Sequence, residues 1–82
     1  MQAPYNMDEV IRILEAKGMK DARPVIEELQ RAGAFTHFDA NKYAARHKVL
    51  VRMAKETTSS SCIIRDVAYE YNMSYGTLRE VL

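Results

Sequence analysis

Two histidines, one cysteine and twelve lysines and arginines are the side chains from which this 82-residue chain could build chemistry, and their spacing decides which kinds. His37 and His47 have no Asp, Glu or Cys at a spacing that would complete a metal site or activate a nucleophile. His37, between Thr36 and Phe38, reads as a loop residue, and His47, between Arg46 and Lys48, as an addition to a basic face. Cys62 follows a serine run at a helix start and reads as a packing residue; alone, it forms no intrachain disulfide. Gly18, Gly33 and Gly76 are too far apart to make a phosphate-cradling loop. The expectation is a protein that is not an enzyme, with no metal, no cofactor and no small-molecule substrate.

The cations are more informative than the net charge of +1. Residues 1 to 38 hold five basic and six acidic side chains. Residues 40 to 55 hold Lys42, Arg46, Lys48, Arg52 and Lys55 with no acid among them. At about 100° per residue, Lys48, Arg52 and Lys55 share one helical face. Such a stripe suits phosphate contacts, which supply affinity in nucleic-acid binding while base contacts supply sequence choice. The plainer alternative is a solvated face of an amphipathic helix.

The segment after this stripe, Ile63 to Leu82, reads as two short helices around a tight turn. Ile63, Ile64, Val67, Ala68 and Tyr71 make one apolar stripe, and Arg65, Asp66 and Glu70 face outward. Asn72 tolerates positive φ and can end the first helix; Met73 then turns to the core. Ser74 is a preferred N-cap for a second helix with Leu78, Val81 and Leu82 as its apolar positions.

In this quarter of the chain the sequence resembles the helix-turn-helix superfamily, with Ala68, Asn72, Leu78 and Val81 in the places of the small residue, the turn residue and the two apolar positions. The turn residue is Asn72 where glycine is usual. The resemblance implies that Ala68 lets the second helix cross closely, and that Tyr75, Gly76, Thr77, Arg79 and Glu80 face a DNA groove. In that role Arg79 would fork onto guanine, Thr77 would touch a thymine methyl, and Tyr75 and Ser74 would meet a phosphate. Gly76 would permit close backbone approach. Glu80 fits poorly beside phosphate. The base-reading set is then Tyr75, Gly76, Thr77 and Arg79, and the phosphate set Lys42, Arg46, Lys48, Arg52, Lys55 and Ser74.

The rest of the chain predicts helices that would position this segment. Asn6 and Glu9 have capping-box spacing ahead of a helix from Met7 to Lys17 with Val10, Ile11 and Leu14 apolar, closed by Gly18. Asp21 and Pro24 mark the start of a second helix that buries Ala22, Val25, Ile26 and Leu29 and ends at Gly33. Phe35 and Phe38 read as packing residues of the following connection. Asp39 is expected to cap a third helix, from Ala40 to about Glu56, with Tyr43, Val49, Leu50, Met53 and Ala54 on its apolar half. The hydroxyls of Thr57 to Ser61 favour a loop and a cap for the fourth helix. No strand pattern competes with helical spacing anywhere.

The expectation is therefore an all-α bundle of about five helices forming one domain. With no long apolar run and no basic or apolar leader at its start, the chain is expected to be soluble and cytoplasmic, away from membranes. A domain this small buries only about 60% of its unfolded surface, so a homodimer through the N-terminal helix pair is expected. These readings converge on a small repressor-type transcription regulator that binds double-stranded DNA. The competing reading is a non-enzymatic adaptor or inhibitor, such as a mobile element encodes, using the same helices on a protein. The side on which Lys48, Arg52 and Lys55 lie relative to Tyr75 to Arg79 discriminates between them.

Overall fold

A computed structural model of the chain describes residues 3–82, with side chains from Met7 onward. It is all-α: five helices, α1 (Ala3–Ala16), α2 (Ala22–Arg31), α3 (His37–Lys55), α4 (Ser60–Glu70) and α5 (Tyr75–Glu80), and no strand among the described residues. None of these helices is long and apolar enough to cross a membrane. The chain divides into two compact units, residues 1–41 and 42–82, with the boundary inside α3.

In the first unit α1 and α2 pack as a hairpin. Helix α1 begins four residues earlier than expected, so the backbone of Asn6 is inside the helix instead of capping it. The side chain of Asn6, and with it the expected capping box, lies outside the described residues. Pro4 is compatible with this early start, because a first helical turn needs no amide from it. The hairpin turns on Gly18 at φ +103°, where the amide of Met19 donates to the Leu14 carbonyl at 3.0 Å and that of Gly18 to Glu15 at 3.0 Å. This pair of bonds is the Schellman closure that a left-handed residue permits. Gly33 ends α2 in the same way.

Among the described residues of this unit the buried apolar ones are Met7, Val10, Ile11, Ile13, Ala22, Ile26 and Ala40. Val25 and Leu29 are not among them; they are 39% and 38% exposed. The short hairpin has room for only Ala22 and Ile26 on the inward side of α2, so the outer edge of the predicted stripe faces out. Phe38 is likewise 56% exposed, and only Phe35 of the two phenylalanines is half-buried.

Helix α3 starts at His37, three residues before the predicted start, which makes His37 a helical residue and not a loop residue. Thr36 and Asp39 form the cap together: the Thr36 amide donates to Asp39 Oδ2 at 2.9 Å, and the Asp39 amide donates to Thr36 Oγ1 at 3.1 Å. Asp39 thus occupies the third helical position of a reciprocal cap. The buried side of α3 is also different. Ala40, Ala44, Ala45 and Val49 are fully buried, whereas Leu50 and Met53 are each 42% exposed, Ala54 is exposed and Tyr43 is half-buried. Small residues set the packing face of α3 because they let a neighbour approach, and the larger Leu50 and Tyr43 lie across the wheel from it.

The second unit is built around Ala45, Val49, Ile63, Ile64, Val67, Ala68 and Leu78, with Tyr71, Met73 and Val81 packed against them. Here the expected stripe of α4 holds residue for residue, and of the apolar positions expected in α5 Leu78 is buried and Val81 packs against the core, whereas Leu82 is 42% exposed. Ser59 caps α4, its hydroxyl accepting from the Cys62 amide at 3.4 Å, and Cys62 sits half-buried in the first turn. Asn72 closes α4 at φ 57°, with the Met73 amide donating to the Ala68 carbonyl at 2.9 Å and the Asn72 amide to Tyr69 at 3.2 Å. Ser74 then opens α5 by accepting from the Thr77 amide at 3.0 Å. Met73 alone therefore separates the closure of one helix at Asn72 from the cap of the next at Ser74, which fixes how α5 leaves α4.

Candidate nucleic-acid interface

Helices α4 and α5 pack directly on each other, and the residues at their crossing explain why. Ala68 is 3% exposed and Leu78 is fully buried, so a small side chain on α4 admits a large one from α5. That leaves the other side of α5 open. Tyr75, Gly76, Arg79 and Glu80 line one shallow hollow there. A methyl group added at Gly76 would meet nothing within 4 Å, and its φ is not positive. Neither internal packing nor backbone conformation therefore demands glycine at this helical position, where it lowers helix stability.

Two other members of the expected set are drawn into the cap. The Ser74 hydroxyl donates to Thr77 Oγ1 at 2.8 Å while accepting from the Thr77 amide, so both hydroxyls are engaged within the chain. Tyr75, Gly76 and Arg79 are brought together on the open face; Thr77, half-buried, is not. Arg79 is exposed and has no acidic partner within ion-pair reach among the described residues.

The basic stripe of α3 has no acid between residues 40 and 55 of its own helix, but it has acids beside it in space. Lys48 Nζ lies 2.7 Å from Glu70 Oε2 on α4. Arg52 forks onto Glu56, with Nε at 2.8 Å and Nη2 at 3.0 Å from its two oxygens, and its Nη2 is 3.9 Å from Asp66. The hydrogen bond to Glu56 is the main cause that raises the Arg52 pKa, and the same bond holds the Glu56 carboxyl below its usual range. A lowered carboxyl pKa means that this contribution to stability is present at neutral pH and is lost as pH falls through the shifted value. Arg46 donates from Nε to the Val81 carbonyl at 3.0 Å, which anchors the end of α5. Lys42 and His47 are half-buried, and Lys55 is exposed at the end of α3. Lys48 and Arg52 border the packing face of α3 near Val49, which is why the acids of α4 reach them.

The remaining face of α4 carries side chains that sequence reasoning passed over. Tyr69 is 89% exposed, the most open of the large apolar or aromatic side chains among the described residues, and it borders a hollow with Ala68, Glu70, Asn72, Met73 and Ser74. Arg65, one helical turn earlier, is exposed, and its Nη2 donates a hydrogen bond to the Cys62 sulfur at 3.5 Å. The i, i+4 spacing of Arg65 and Tyr69 on the polar side of α4 was the available signal.

No family model, curated protein or solved structure matches this chain. The local geometry is therefore what bears on function. No group of three or more metal-ligating side chains occurs among the described residues. The second unit holds seven basic and four acidic side chains, a formal +3, while the chain as a whole carries +1. The unit with the open α5 face is also the basic one.

Proposed function

We propose that the second unit is a helix-turn-helix reader of double-stranded DNA and that the chain acts, without catalysis or a cofactor, as a transcription regulator. The observation that carries this reading is the open face of α5, where Tyr75, Gly76 and Arg79 stand together and the glycine serves no need of the fold. Close approach by an external surface explains a glycine that packing does not. Arg79 is then the base reader, through a forked contact to guanine, and Tyr75 flanks it. Helix α4 supports α5 through Ala68 and Leu78 and sets its angle to the groove. In the first unit, exposed Val25 and Leu29 on one side of α2 supply an apolar surface suited to a second copy, consistent with a homodimer reading paired half-sites.

The ion pairs on Lys48 and Arg52 favour a second reading, a protein-binding adaptor, because they remove two of the cations expected to meet phosphate. Selection from a pool of random duplexes separates the two. The DNA reading expects an enriched motif, and weaker binding to it by Gly76→Ala even though that substitution raises helix stability by about 0.5–1 kcal/mol. A pool with no enrichment favours the adaptor.

A further inference from the structure

The pairing of Lys48 and Arg52 with acids raises the question of what else holds the DNA backbone. We propose that Arg65 and Tyr69, on the outward face of α4, carry phosphate contacts beside the turn, while the Lys48–Glu70 pair serves to neutralise an acid there. The inference rests on the DNA reading above and assigns its phosphate-positioning residues.

Charge is the first argument. Lys48 and Glu70, 2.7 Å apart, together contribute no net charge to the surface, and lending the lysine to a phosphate would leave the Glu70 carboxylate facing that phosphate. Arg52 is tied twice over, to Glu56 and Asp66. Arg65 has no acidic partner within ion-pair reach among the described residues, so its full charge is available to an anion.

Placement is the second argument. Tyr69 lies one turn beyond Arg65 and borders the hollow that runs past Asn72 to Ser74; the next residues, Tyr75 and Gly76, line the open face of α5. Tyr69 thus shares a hollow with Ser74, the cap of α5, while Arg65 stands exposed one turn before it on the same side of α4. Glu70 also lines the hollow, and without Lys48 its carboxylate would repel a backbone phosphate. The double-stranded DNA backbone is the occupant this charge pattern fits, because phosphates accept both from a guanidinium and from a hydroxyl.

Titration of the full chain with one selected duplex, over a series of salt concentrations, tests this. For Arg65→Ala the slope of log affinity against log salt should become shallower by about 0.9, the loss of one phosphate contact. Tyr69→Phe should weaken binding roughly threefold to tenfold without changing the slope, as for one lost hydrogen bond. The double variant Lys48→Met with Glu70→Gln should keep the wild-type slope, whereas Lys48→Met alone should weaken binding by exposing Glu70. Wild-type binding with an unchanged slope for Arg65→Ala, or a slope about 0.9 shallower for the Lys48/Glu70 double variant, overturns the assignment. No binding by the wild-type chain overturns the DNA reading itself, and this inference with it. All four positions retain exposed surface, so circular dichroism should show each variant folded.

Discussion

Replacing Leu78 with alanine is expected to remove about 2–5 kcal/mol of stability, the range for truncating a fully enclosed leucine. Leu78 is 0% exposed and is the α5 residue in the core of the second unit, in one cluster with Ile63, Ile64, Val67 and Ala68 of α4. The cost combines the lost burial of the side chain with the cavity left beneath a six-residue helix. For a chain of this length total stability is about 4–12 kcal/mol, so the loss is a large fraction of the whole. Urea unfolding followed by helical circular dichroism checks it. A midpoint within error of wild type would mean that α5 is not held by Leu78, and the orientation of its open face would lose its physical basis. DNA binding should fall with stability in this variant, which makes it a test of architecture and not of base reading.

Arg79→Ala isolates base reading. The side chain is exposed and unpaired with any acid among the described residues, so its removal should leave the unfolding midpoint almost unchanged. On the selected DNA motif the variant should lose about 1–3 kcal/mol of discrimination at a single base pair, the worth of one forked contact to guanine. Competition between the selected duplex and its single-base-pair variants measures this. An equal loss on every sequence would make Arg79 a phosphate contact and leave the open face of α5 without an assigned reader.

What the sequence disclosed depended on how local the cause was. The second unit was legible because its determinants are short-range: Ser59 and Ser74 cap within three residues, Asn72 closes its helix over five, and the stripe from Ile63 to Tyr71 has nowhere else to go. The first unit was less so. Helix α2 carries four apolar residues, Ala22, Val25, Ile26 and Leu29, but a two-helix hairpin covers a narrow strip, so Val25 and Leu29 emerge on the outside. Along α3 hydrophobicity pointed to Leu50 and Met53, while size decided the outcome in favour of Ala44 and Ala45. The reach of Glu70 and Asp66 onto Lys48 and Arg52 was illegible because it spans separations of 22 and 14 residues and depends on which side of α3 packs. Charge runs read along one helix omit the neighbouring helix, and here that neighbour supplies the acids.

The central claim is that this chain binds duplex DNA through its second unit, and affinity for duplex DNA at two salt concentrations tests it most directly. Counterion release makes log affinity fall linearly with log salt, with a slope of about −0.9 per phosphate engaged. For three phosphates, raising monovalent salt fourfold is predicted to weaken binding about 40-fold. No detectable binding at low salt, or an affinity that does not change with salt, would contradict the account.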